Sequence, residues 1–323
     1  MSNHKRTFFK KRREIMILSS IFPVFALIIT GKILKKTKFI NDDFLDISDK
    51  LIYFIFFPVM LFWKIGTSSQ GAGFNLNIVY ASLCTIFFIF ALSSLYIIFF
   101  KVKNFDAGSF SQSCFRFNTY IGFAVIINAL GEDGIRFFGI IISFSIPVIN
   151  ILSISLLSYF SGFSKSAHGI KKRVGHMAGS ILKNPLIIAC VSGLLFSSLN
   201  FNFPQYLENF FQLLSTASLP LALISIGGSF TFGKLKDYLH LSIVSSLFKL
   251  ILFPLSGFIF LHLFDVTEIA FKTGLIFFSL PTATSIYVLS SQMNSNTDLA
   301  SSTIVVSTAL SFISLSLVML YIA

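Results

Sequence analysis

The stretch IAFKTGLIFFSLPTATSIYVLSS, residues 269–291, decides the fold. It is long enough to cross a bilayer, since a transmembrane helix needs about twenty mostly apolar residues. Its middle, however, reads Ser279-Leu280-Pro281-Thr282-Ala283-Thr284-Ser285. Proline lacks the amide donor and its ring clashes with the preceding turn. In lipid, the carbonyls so freed must find partners in protein, water or solute. The hydroxyls of Thr282, Thr284 and Ser285 can serve that purpose. The stretch predicts a membrane helix that is broken part-way across.

Nine further apolar runs surround it, near 15–34, 51–66, 76–100, 110–130, 135–160, 184–200, 210–231, 239–263 and 299–322. The composition agrees. Of the 323 residues, 54% are hydrophobic, 12% are charged and 42 are Phe. Mean hydropathy is +0.83. A soluble chain of this size needs charge on its outer faces, and this one has too little. The net charge of +12 is carried by Lys and Arg between the apolar runs, which reads as membrane topology and excludes a nucleic-acid surface. Cys84, Cys114 and Cys190 lie far apart within apolar runs, so neither a disulfide framework nor a zinc site is expected. The first run follows a basic stretch but ends on Lys32, Lys35 and Lys36 with no small-residue cleavage site, so it reads as a retained helix.

The sequence thus predicts an all-α polytopic membrane protein of about ten helices. The loops after helices one, three, five and seven hold most of the Lys and Arg, which places them in the cytoplasm and both termini outside. The N-terminal cluster Lys5, Arg6, Lys10, Lys11, Arg12 and Arg13 argues the opposite way. The basic, small-residue-rich segment 162–180 is expected to be a cytoplasmic linker between two five-helix halves, 1–161 and 181–323. An odd helix number per half inverts the second, the plan of many secondary transporters. The halves echo each other. Phe57-Pro58 in helix two is matched by Leu219-Pro220 in helix seven. The polar stretch Arg116-Phe117-Asn118-Thr119-Tyr120-Ile121-Gly122 in helix four is matched by the break at Pro281 in helix nine. If the two breaks cross, half-helix ends face one cavity, and helix N-termini attract anions.

Candidate binding residues follow from this reading. Asn118, Thr119, Pro281, Thr282 and Thr284 belong to the breaks. Arg116 lies inside the fourth run, where a charge costs at least about 2.5–3.5 kcal/mol. It either grips an organic anion by its planar fork or snorkels and bonds broken-helix carbonyls. Asn150 in helix five either lines the same cavity or joins helices. Lys249 reads as a snorkelling, structural residue. Every acidic residue falls in a loop, a tail or a helix end, and no His/carboxylate cluster or P-loop occurs. Metal-dependent membrane enzymes, carboxylate proton relays and ATP-driven transport are therefore disfavoured, and no cofactor is expected. A Phe-rich face on helices one, two and seven is expected to support a homodimer.

The chain also resembles the auxin efflux carrier family, whose bacterial members include malate and malonate permeases. The likeness rests on FFPVMLF at 56–62, FRFNTYIGFAVI at 115–126, KNPLIIACVSGLL at 183–195, LPLALISIGGSF at 219–230 and KLILFPL at 249–255. Most specific is LPTATSIYVLSSQMNSNTDLASSTIVVSTALSFISL at 280–315. The resemblance implies two inverted five-helix repeats with broken, crossing helices four and nine, in the inner membrane, moving small organic anions by alternating access. It implies a substrate site at the crossover, with Asn118, Asn150 and Pro281 at matching positions. Thr119-Tyr120 and Phe123-Ala124 depart from the smaller or proline-bearing neighbours expected there. The long hydrophilic loop of plant members is absent, which makes auxin itself a poor substrate. Two alternatives remain open at this point: a sodium-coupled symporter of bile-acid or sterol-type anions, and a non-transporting membrane receptor or scaffold.

Overall fold

The computed structural model describes residues 20–67, 76–160, 185–199, 202–231 and 233–322. The expected linker 162–180 lies outside them. Among the described residues the chain is all-helical, with no strand. Helix α1 spans 20–36. Next come α2 (Asp42–Leu51), a π-turn (Ile52–Phe56) and α3 (Phe57–Gly66), which run on as one helix. Then follow α4 (Leu76–Phe99), α5 (Asn104–Phe115), α6 (Thr119–Phe160), α7 (Pro185–Ser198) and α8 (Gln205–Gly228). Helix α9 (Leu239–Leu247), a second π-turn (Phe248–Leu252) and α10 (Phe253–Leu263) again form one continuous helix. The chain ends with α11 (Glu268–Phe278), α12 (Ser285–Gln292) and α13 (Thr297–Ile322). Among the described residues, five stretches are long and apolar enough to cross a membrane: 76–99, 104–160, 205–228, 239–263 and 297–322.

Each apolar run meets a helix, with instructive shifts. The second run, expected from 51, starts at Asp42. There Asn41 caps the helix, its Oδ1 accepting from the Phe44 amide at 2.9 Å. Asp42 and Asp43 fill the first turn, where the helix dipole favours acids. Both π-turns stand immediately before a Phe-Pro pair, Phe57-Pro58 and Phe253-Pro254. The wider turn gives the proline ring room against the preceding carbonyls. The Phe57 and Phe253 amides donate five residues back, to Ile52 and Phe248. The loop expected around Glu132 is helical save for Gly131, whose φ of 68° only glycine adopts without strain.

Helix α1 packs on α8 within the chain, backbone against backbone. A Cβ at Gly31 would lie 2.0 Å from the Ile224 carbonyl oxygen, and one at Gly227 would lie 1.8 Å from that of Ile28. Close approach of this kind is how membrane helices associate where hydrophobicity gives no driving force. Lys32 Nζ adds a bond to the Phe230 carbonyl at 2.6 Å. Buried Phe rings fill the centre: Phe57 on Tyr120 and Phe123, Phe117 on Phe138 and Phe277, and Phe253 on Phe277 and Phe278.

Candidate functional site

The two breaks meet. The non-helical residues between α5 and α6 are Arg116, Phe117 and Asn118, and those between α11 and α12 run from 279 to 284. The Asn118 amide donates to the Pro281 carbonyl at 2.9 Å. The Thr282 hydroxyl donates to the Ser113 carbonyl in the last turns of α5 at 2.9 Å. Each break thus satisfies a backbone group that the other had freed. The Thr282 amide donates to Ser307 Oγ on α13 at 3.2 Å, fixing the second break from behind.

Asn118 also starts α6. Its Oδ1 accepts from the Tyr120 and Ile121 amides, both at 3.1 Å, which makes it an N-cap. Helix therefore resumes at Thr119, and the residues 119–122, expected to belong to the break, are its first turn. The cap uses only one end of the amide. Asn118 is 2% exposed, and its Nδ2 is buried with no hydrogen-bond partner.

Arg116 is half-buried and extended in backbone (φ −72°, ψ 140°). Its Nη1 donates to Ser153 Oγ on α6 at 3.2 Å, and its Nη2 to Ser285 Oγ at the start of α12 at 3.1 Å. Its Nε is buried and unpartnered. The guanidinium is held by neutral hydroxyls, with no salt bridge to a carboxylate among the described residues. Asn150 is half-buried and three residues before Ser153, so it shares the helix face that meets Arg116. Pro281 and Thr282 are buried, Thr119 and Thr284 half-buried. The N-termini of α6 and α12, each with partial positive charge, converge beside a guanidinium. Three like potentials in one place are unfavourable unless an anion joins them.

Sequence reasoning missed a serine-rich seam alongside. Ser109 Oγ on α5 contacts Ser290 Oγ at 2.8 Å and Ser295 Oγ at 3.0 Å, and donates to the Asn296 carbonyl at 2.7 Å. Gln112 Nε2 donates to Ser290 Oγ at 2.8 Å. Asp106, an acid expected in a loop or at a helix end, lies in the first turn of α5, is buried, and accepts from Asn296 Nδ2 at 2.7 Å. The runs SFSQS at 109–113 and SSQMNSN at 290–296 were the signal. Such small polar residues in apolar helices mark close helix contact. Lys249, expected to snorkel, is instead fully buried.

A separate cleft of about 380 Å³ opens between α1, α3, α6 and α8. Trp63, Lys64, Asn128 and Thr216 are among its lining residues. Its α6 wall, Ala124 and Asn128, continues the helix that Asn118 caps. Lys64 is paired there with Glu132.

Residues 174–319 match the family model described as "membrane transport protein". An uncharacterized transporter of Methanocaldococcus jannaschii is 25% identical over 305 residues, covering 91% of this chain and 95% of its own length. A protein of Rhizobium meliloti named "putative malonate transporter" is 22% identical over 306 residues, covering 91% and 92%. The family match falls in the second half, where the most specific motif lies, and the relatives extend the likeness over nearly the whole chain. These matches bear out the resemblance to the auxin efflux carrier family: the chain is similar to membrane transporters and not to enzymes.

Proposed function

We propose that this chain is a secondary transporter of small organic anions, dicarboxylates among them, working by alternating access. The observation that carries the proposal is the crossover. Two half-helix N-termini lie beside Arg116, and Arg116 Nε and Asn118 Nδ2, two residues apart, lack acceptors. A carboxylate would satisfy both donors and offset all three positive potentials. Asn150, Thr119 and Thr284 would complete the wall of the site. The name of the Rhizobium meliloti relative favours malonate as the first solute to try.

In this reading ten helices form two inverted five-helix repeats, 1–161 and 181–323, joined by a cytoplasmic linker at 162–180. Helices four and nine are α5 with the first part of α6, and α11 with α12. Both termini lie outside the inner membrane. The test is uptake of labelled malonate, malate, succinate and lactate into proteoliposomes. Saturable uptake of at least one is expected. Absence of flux for every anion, with binding intact, would favour a receptor, and a strict sodium requirement with bulky anions would favour the bile-acid type.

A further inference from the structure

Lys249 is a buried cation that the crossover does not use. It lies on the second π-turn, is 0% exposed, and its Nζ has no hydrogen-bond partner. It stands 3.9 Å from the centre of the Phe253 ring. The π-turn packs against α4, α5, α9, α10 and α13. The titratable groups on those helices are otherwise engaged or distant. On α5, Asp106 holds Asn296, and Cys114 is the group within electrostatic reach of Lys249. On α13, Asp298 pairs with Lys234, and Tyr321 packs on Phe258. On α4, Tyr80 packs on Phe264, Tyr96 stacks on Phe110, and Cys84 is a half-buried thiol. His240 is exposed at the start of α9, and His262 on α10 packs on Phe258. No carboxylate among the described residues forms an ion pair with Lys249.

Its position is as telling as its isolation. Cys114 is the penultimate residue of α5, two before Arg116. Phe253 packs on Phe277 and Phe278, the last residues of α11. Lys249 thus stands near the C-terminal end of α5, and the Phe253 ring links it to that of α11, the two half-helices that lead into the breaks. Those ends carry partial negative charge and favour a cation. The opposite pair of ends, with Arg116, faces the anion site. Thr308 on α13, next in sequence to the Ser307 that holds the second break, likewise has a buried hydroxyl with no partner. Helix ends and one ring face fall short of a full counter-charge for an ammonium ion in an apolar site. An anion bound at the crossover would add negative charge to what these groups supply.

We propose that Lys249 carries a proton that crosses the membrane with the anion. This rests on the transporter reading above. With the crossover empty, Nζ is an amine. When the anion binds, a proton from water on that side adds to the nitrogen lone pair and gives an ammonium ion. When the site opens to the other side, the anion leaves and the proton returns to water there. One proton moves with each anion, whatever the anion's own charge, and no other bond changes. Binding and protonation favour each other by the same factor, because such coupling is reciprocal.

The test uses the purified full chain in proteoliposomes with labelled malonate, or whichever of the four acids exchanges. In the wild type, an acid-outside gradient should drive accumulation above equilibrium. Apparent affinity should weaken with rising pH, by at most about tenfold per unit for one coupled proton. Lys249→Met should lose gradient-driven accumulation and its pH dependence. It should still exchange anion for anion, at the weak affinity of the wild type's alkaline limit. Lys249→His keeps a titratable base and should keep accumulation, with the pH profile moved. Gradient-driven accumulation by Lys249→Met, or a wild-type affinity flat with pH, would overturn the proposal. If Lys249→Met does not fold, the wild-type profile and Lys249→His decide. Wild-type exchange without proton coupling sinks Lys249 alone, whereas no exchange of any anion sinks the transporter reading beneath it.

Discussion

Asn118→Asp separates the two jobs of Asn118. The change is nearly isosteric. It keeps the oxygen that accepts from the Tyr120 and Ile121 amides. A carboxylate at an N-cap gains about 0.3–1 kcal/mol from the helix dipole. The fold should therefore hold, and the protein should stay monodisperse with an unchanged or higher Tm. The other side of the amide decides binding. Nδ2 has no partner in the empty site, so its replacement leaves no protein group orphaned. A bound carboxylate, however, loses a donor worth about 1.5–3 kcal/mol. It also meets a like charge at about 4 Å, which costs about 4 kcal/mol at an effective dielectric of about 20. The sum is about 5.5–7 kcal/mol, or about four to five decades in Kd. Malonate at millimolar concentration should neither raise the Tm of Asn118→Asp nor enter vesicles that contain it. Asn118→Ala, by contrast, leaves two buried amides without an acceptor and should lose stability as well as transport. If Asn118→Asp transports malonate within a few-fold of wild type, the anion does not sit at the crossover.

Asn150→Ala should cut transport severalfold while Tm stays within a few degrees. Unchanged kinetics would take Asn150 out of the site. Gly227→Ala places a methyl group 1.8 Å from the Ile28 carbonyl oxygen. It should destabilise by at least the roughly 1–3 kcal/mol typical of overpacking, seen as a lower Tm in detergent, and an unshifted Tm would refute the direct α1–α8 contact. Asp106→Ala removes the acceptor of Asn296 Nδ2. Stranding that buried donor should cost about 1–3 kcal/mol by thermal unfolding, and an equal Tm for mutant and wild type would show that the bond contributes nothing.

What the sequence revealed and what it hid have separate physical causes. Membrane class and helix positions were legible because lipid demands long apolar runs, and those runs survive in any packing. The break at Pro281 was legible because proline acts on its own chain. The break in helix four was seen but drawn too wide. Residues 119–122 are polar in appearance, yet Asn118 caps them into helix, and its Asx chemistry was the overlooked sign. The early start of helix two was hidden because its first turns are amphipathic, although Asn41 followed by two acids is an N-terminal signature. The seam of Ser109, Gln112 and Ser290 joins residues about 180 apart in the chain, so no local pattern could pair them. Lys249 was misjudged for a related reason. Depth in a bilayer depends on the neighbours that surround a helix, and those are set by the fold.

The meeting of Gly31 and Gly227 constrains how any such machine can move. Where side chains interleave, two helices can change rotamers and slide. Where backbone lies on backbone, there is no layer of side chains to rearrange. A shift by one residue along α1 would bring the Cβ of Thr30 or Lys32 to a place with room for none. The α1–α8 joint is therefore a fixed bearing. The alternating exposure of the crossover proposed above would then have to come from elsewhere, from the surfaces that slide past this pair.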